Sequence, residues 1–192
     1  MSAPTVEEHT MNPRDIPIVD CPSFLHSELP SELHHPPASD NLPVMFYGFV
    51  VPGEVYHVQR RVNELGLAKR RPEVMAGKCS DDWAFFLLMK YIWSSWPDAV
   101  WTRVLRRDCN KSVLFLALCS NEKKDTITYK RLFRGLYGNE KRHDGAVQKA
   151  REALGFPADI QPRWYFGSCS KSCKLPEYIR QASGEPSQAN SS

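Results

Sequence analysis

The sequence predicts an α/β domain, built as a two-layer sandwich of three or four helices packed on a small mixed sheet of about four strands. Three observations predict this class. Two continuous apolar runs of strand length occupy residues 44–51 and 113–119. Segments with a helical spacing of apolar residues lie between these runs and again after the second one. A short aromatic segment at residues 163–166, preceded by Pro162, supplies a last strand.

The first strand and the first helix follow each other directly. Residues 44–51 are apolar throughout, as in strands covered on both faces. Gly48 within this run is typical of a bulge or of the close approach of another backbone. The helix that follows carries its apolar residues on one face and ends at Gly66. These apolar residues are Val55, Val58, Val62 and Leu65.

The second helix is the most aromatic segment of the chain. Ser80 is a favourable N-cap, acidic residues occupy the first turn, and Trp96 before Pro97 ends the element. Its polar residues form only a narrow stripe, which Phe86 interrupts. Because a helix that is apolar nearly all round is normally buried, we expect four of its side chains to be almost fully buried. They are Phe85, Leu88, Met89 and Ile92.

The second half of the chain predicts two strands and a helix before the last strand. Residues 113–119 form a buried strand, and the alternation in residues 126–130 predicts its hairpin partner. A helical spacing of apolar residues in the same region leaves residues 126–137 open to either strand or helix. The last helix has an apolar face that ends at Leu154, before Gly155. These patterns do not predict the order of the strands in the sheet.

The ends of the chain differ in composition from its middle. Residues 1–41 are acidic and Pro-rich without helical or strand periodicity, and we expect a disordered arm there. Residues 42–182 form a single globular domain, followed by a disordered tail at residues 183–192. Residues 1–40 carry a net charge of −6, whereas the rest of the chain carries +9. This asymmetry indicates an interaction, either between arm and domain or with an anionic partner.

Charge, cysteine content and hydropathy narrow the location and the partners that we expect for this protein. The chain has 192 residues, a formal net charge of +3 and six cysteines. No apolar segment follows a basic N-terminus as in a secretory signal, so we expect an intracellular protein, cytoplasmic or nuclear, with reduced cysteines. Lys90 interrupts the apolar run of the second helix well short of the length that a membrane span needs. We therefore expect no membrane partner.

The common catalytic and cofactor signatures are missing from the sequence. It contains no phosphate-binding or dinucleotide-binding glycine loop, no zinc-protease helix, no nucleophile-elbow serine and no Cys-x-x-Cys pair. Cys169 and Cys173 lack the second close pair that a zinc site commonly uses. Cys79 precedes a helix N-terminus, but the acidic residues that follow disfavour a reactive thiolate. No catalytic, cofactor-binding or metal-binding residue is therefore predicted.

Basic residues recur in pairs through the domain. They would contact phosphates if the fold gathered them on one face, beside Trp164 or Tyr165, whose rings could stack on bases. This possibility is the basis of a nucleic-acid-binding alternative. Its candidate residues are Arg60, Arg61, Lys69, Arg70, Arg71, Arg106, Arg107, Lys130 and Arg131.

Three functions from different classes are compatible with these patterns. The leading interpretation is a non-enzymatic protein-interaction or scaffold module with an unknown protein partner. The alternative is a nucleic-acid-binding protein that uses a basic face, which convergence of the basic pairs would favour. The third is an enzyme whose mechanism the sequence does not reveal. A concave pocket lined by Cys79, His57 or carboxylates would favour it.

Overall fold

The computed structural model describes residues 23–25, 28, 44–68, 81–105, 112–121, 132 and 140–168. Five strands and three helices lie in this part of the chain, and none of these helices is long and apolar enough to cross a membrane. In chain order the elements are β1 (Ser23–Phe24), β2 (Met45–Val50), α1 (Glu54–Glu64), α2 (Asp81–Trp93), β3 (Val100–Leu105), β4 (Ser112–Ser120), α3 (Glu140–Leu154) and β5 (Arg163–Phe166).

The five strands form one antiparallel sheet in the order β1-β5-β2-β4-β3. The mixed α/β architecture predicted from the sequence is confirmed, but the sheet is antiparallel rather than mixed and has five strands rather than four. The helices do connect strands that run parallel, as helical crossovers usually do. Those strands are not neighbours, because β4 lies between β2 and β3, and β2 lies between β4 and β5. This split β-α-β arrangement makes every adjacent pair antiparallel.

The sheet curls so that the end of β3 approaches the residue that follows β5. Val104 of β3 forms a bridge with Gly167, although two other strands lie between β3 and β5. A Cβ atom at Gly167 would lie only 2.7 Å from the Phe46 ring, so this approach favours glycine. On the concave side of this curl lies a small apolar cluster whose described members all belong to strands. The cluster consists of Val50, Val104, Phe115, Ala117 and Tyr165.

The three helices cover the other face of the sheet and form the main core with it. Because both faces are covered, β2 and β4 are buried along most of their length, which confirms the prediction from their continuous apolar runs. Gly48 also lies at the predicted irregularity, a register shift between β2 and β4. The core includes Met45, Phe49, Val58, Val62, Leu88, Ile92, Leu116, Ala150, Leu154 and Trp164.

Side chains of α1 hold the C-terminal end of α3. His57 Nε2 donates a hydrogen bond to the Leu154 carbonyl at 2.8 Å, and Arg61 Nε donates to the Ala153 carbonyl at 3.0 Å. The last carbonyls of a helix have no partner within the helix, and a cation there is favoured by the helix dipole. Gly155, with a φ of 69°, then ends α3 at the predicted position.

The sequence patterns do not predict two of the strands. β1 lies inside the segment expected to be a disordered arm, and its Phe24 packs edge-to-face on Phe166 at 6.0 Å. β3 lacks a continuous apolar run because it is an edge strand with exposed Val100 and Arg103. The segment left open between strand and helix lies outside the described residues except for Leu132, which is buried. Apart from residues 23–25 and 28, the predicted arm also lies outside the described residues, as does the predicted tail.

Candidate interaction surface on the second helix

The helix α2 is buried on one side and exposed on the other. Leu88, Met89 and Ile92 are buried, as predicted, together with Ala84. Phe85 is only partly buried, so the prediction for this residue is wrong. Its ring packs at 5.3 Å from that of Trp101 on β3, the outermost strand of the sheet among the described residues.

Three neighbouring elements account for the buried and half-buried sides of α2. Gln59 of α1 donates to the Asp81 carboxylate at 3.0 Å, and the Lys149 ammonium of α3 lies 3.5 Å from the centre of the Tyr91 ring. Trp101 of β3 donates its indole N–H to the Phe85 carbonyl at 3.2 Å. The remaining side of α2 faces away from all three elements, which explains its exposure.

This exposed side carries three large aromatic rings. Phe86 is 46 % exposed, Trp93 41 % and Trp83 37 %. Spacings of three and seven residues place these rings on one side of a helix. We call Trp83, Phe86 and Trp93 the aromatic face. In the described part of the chain, the other large exposed apolar residues are Val100, at the start of β3, and Tyr56 on α1.

The rings of the aromatic face are held in position by local contacts. Trp83 and Phe86 form an edge-to-face pair with ring centres 5.4 Å apart. The Trp93 indole N–H donates to the Ala99 carbonyl at 2.9 Å, which fixes the ring while leaving much of its surface in solvent. Asp82 and Lys90 lie on the same side of α2, and neither forms an ion pair with another of the described residues. The surface therefore carries one charge of each sign, with Asp82 beside Trp83 and Lys90 between Phe86 and Trp93.

Two of the nine candidate nucleic-acid-binding residues lie in the described ranges, and both are on α1. Arg60 forms an ion pair with Glu64 at 3.5 Å, and Arg61 bonds the C-terminal carbonyls of α3. The other seven, together with Cys79, Cys169 and Cys173, lie outside these ranges. Trp164 and Tyr165 are buried in the sheet, so their rings are not available for stacking on bases. Of the basic pairs, only Arg60 with Arg61 therefore has a place in the described fold.

A cleft of about 880 Å³ opens between the three helices and the segment after α3, and it is lined by His143, Asp144 and Arg151. His143 shares a hydrogen bond of 3.2 Å with the Tyr47 hydroxyl, and its Nδ1 lies 3.4 Å from the Asp144 carboxylate. Arg151 donates to the Ile160 carbonyl at 2.7 Å. These contacts tie α3 to β2 and to the segment before β5.

The Tyr47 hydroxyl lies at the inner end of this chain of hydrogen bonds. Its side chain is buried in the sheet. Burial raises the pKa of Tyr47 above its ordinary range, with a further rise from Cys119 and an opposing effect of Arg151. His57, named above for a possible enzyme pocket, is buried and bonded to the Leu154 carbonyl, and it is not among the residues that line this cleft. His57 and His143 each connect two elements of the fold.

The sequence interpretation placed Phe86 on the polar stripe of α2, but it missed the exposure of Trp83 and Trp93 on the same side. Trp83, Phe86, Lys90 and Trp93 recur at intervals of three, four and three residues, and the charged residue among them marks this side as the one in solvent. No protein-family model, curated protein or solved structure matches the chain. Function is therefore inferred from α2 and its surroundings.

Proposed function

We propose that this chain is a non-enzymatic protein-interaction module that binds a partner protein through the aromatic face of α2. The observation that carries the proposal is the exposure of three large aromatic rings, between 37 % and 46 %, on one side of a single helix. Scattered exposed apolar residues are ordinary in proteins, whereas a contiguous patch is typical of an interaction site. Aromatic residues are also enriched among those that contribute most to binding.

The rigidity of the surface supports the same function. Leu88 and Ile92 anchor the opposite side of α2 in the core, so the helix does not need to order when a partner binds. The contact of Trp83 with Phe86 and the hydrogen bond of Trp93 restrict the rings before binding. A surface that is already ordered loses less conformational entropy on association, and more of the burial free energy appears as affinity.

The two charges beside the rings make the two ends of the surface electrostatically different. Asp82 lies near the N-terminal end of α2 and Lys90 lies two turns later. Exposed charges at the rim of an interface contribute more to orientation and partner choice than to affinity. The partner surface is therefore expected to have an apolar centre that receives Phe86, with a cation on one side of it and an anion on the other.

The proposal is tested by site-specific photocrosslinking followed by binding measurements. A photoreactive phenylalanine analogue replaces Phe86 in one protein and Tyr56 in a matched control, since both positions are exposed aromatics on neighbouring helices. We expect a discrete crosslinked protein from position 86 only. Binding of that protein, once purified, should weaken about tenfold or more in Phe86→Ala and stay unchanged in Tyr56→Ala.

Circular dichroism confirms that the two alanine variants fold. Equal affinity of the purified partner for wild type and Phe86→Ala would show that the aromatic face is not the docking surface. So would discrete crosslinking from both positions to the same proteins, because a specific interface discriminates between two exposed aromatics on different helices.

A further inference from the structure

We infer that the occupant of the aromatic face is a second copy of this chain, bound through an antiparallel pairing of the two α2 helices about a two-fold axis at Phe86. This inference rests on the proposed function and names the partner of its docking surface. A two-fold interface uses the same patch on both copies, so the patch must be complementary to itself. The sequence of α2 meets that requirement.

The complementarity comes from the spacing of charges around Phe86. Asp82 precedes Phe86 by four residues and Lys90 follows it by four, so all three lie on one side of the helix. Each charge lies about 6 Å from Phe86 along the helix axis. In an antiparallel pair centred on Phe86, Asp82 of each copy therefore lies opposite Lys90 of the other.

The same spacing disfavours the other simple arrangement. In a parallel pair in register, Asp82 would face Asp82 and Lys90 would face Lys90, which places like charges together. Within one chain, Asp82 and Lys90 lie about 12 Å apart along the axis and are too distant to pair with each other. Neither pairs with another residue in the described ranges, so both are available to a second copy.

Two of the three rings of the aromatic face, Phe86 and Trp83, fit the same geometry. Phe86 of one copy meets Phe86 of the other at the axis. Trp83 lies three residues before Phe86, so it falls opposite position 89 of the second copy, next to that copy's Lys90. An ammonium group close to the face of an indole ring is a favourable cation–π contact. Lys90 is thereby placed between a carboxylate and an aromatic ring of the second copy.

Sedimentation velocity on the full chain tests the inference through charge reversal. We expect the wild type to dimerise within about 1–100 µM, a common range for a small exposed interface. Asp82→Lys and Lys90→Asp should each weaken dimerisation about tenfold or more, because each creates two pairs of like charges. Asp144→Lys makes the same change in net charge as Asp82→Lys at an exposed site on α3 and should leave dimerisation unchanged.

An equimolar mixture of the two charge-reversal variants provides the sharpest test. One variant then carries two lysines and the other two aspartates on this side of α2, so antiparallel pairing restores both attractive pairs. The mixture should dimerise with an affinity close to that of the wild type, which a folding defect in either variant could not produce. The double variant Asp82→Lys with Lys90→Asp should dimerise with itself for the same reason.

A wild type that stays monomeric up to about 100 µM would overturn the inference. Failure of the mixture to dimerise, or a Phe86→Ala variant that dimerises normally, would do the same. These outcomes are separable from failure of the proposed function. A monomeric wild type whose position 86 still crosslinks a different protein loses the second copy as partner and keeps the docking surface.

Discussion

Two alanine substitutions on opposite sides of α2 should have very different effects on stability. Leu88→Ala removes a fully buried side chain from the core, and Phe86→Ala truncates a ring that is 46 % exposed. Core Leu→Ala changes cost about 2–5 kcal/mol, because the lost transfer free energy is joined by the cost of the cavity. We therefore expect Leu88→Ala to lower the free energy of unfolding by this amount.

The corresponding magnitude for Phe86→Ala is smaller for two reasons. Complete burial of a phenylalanine contributes about 1.5–3 kcal/mol, and roughly half of this ring is already in solvent, which leaves about 1 kcal/mol to lose. Alanine also has the higher helix propensity, by about half a kcal/mol. The net loss for the monomer should therefore be below about 1 kcal/mol.

Urea unfolding followed by far-UV circular dichroism measures both values. With a slope of about 2 kcal/mol per molar urea, Leu88→Ala should lower the midpoint by about 1–2.5 M and Phe86→Ala by less than about 0.5 M. The measurement is made at low protein concentration, so that association does not contribute to stability. Equal losses for the two variants would refute the reasoning, because Phe86 would then belong to the core and not to a docking surface.

Three further predictions concern the sheet and the helices α1 and α3. Phe24→Ala should destabilise by about 3 kcal/mol in thermal or urea unfolding, since β1 places this ring in the core; no change would restore the prediction of a detached arm. Gly48→Ala should lower the free energy of unfolding by more than about 2 kcal/mol, because its Cβ atom would collide with the Leu116 carbonyl oxygen. The control Gly145→Ala lies in α3 with open space around its Cβ position, and it should raise the free energy of unfolding by about 0.5–1 kcal/mol. Burial lowers the pKa of His57, so below about pH 6.5 the unfolded chain binds more protons at this residue than the folded chain does. The free energy of unfolding should therefore decrease as the pH is lowered below about 6.5, and it should decrease less steeply in His57→Gln.

Local patterns in the sequence determined most of the elements and their ends. The valines of α1, its stop at Gly66 and the end of α3 before Gly155 follow from helical spacing and from the backbone freedom of glycine. The apolar runs identified β2 and β4 as strands covered on both faces. These features depend on residues a few positions apart, which is why the chain reveals them without its tertiary structure.

The sequence also predicted the α2 helix, three of its buried residues and a narrow solvent-facing stripe that includes Phe86, but not the exposure of Trp83 and Trp93 beside that stripe. An aromatic run predicts burial only on average, because the covered sides depend on the elements that surround the helix. Here α1, α3 and β3 pack against α2 and leave Trp83, Phe86 and Trp93 outside. Exposure of these rings is therefore a property of the packing.

The tertiary structure alone decided the order of strands, the curl of the sheet and the contact between Tyr47 and His143. Bringing together residues 96 positions apart depends on how the whole sheet pairs, and no local periodicity encodes that. β1 is too short, and β3 too exposed, to have a pattern of its own; each is a strand because a neighbour supplies its hydrogen-bonding partners. The candidate interaction surface has the same origin, since it is the side of α2 that the assembled sheet and helices do not cover.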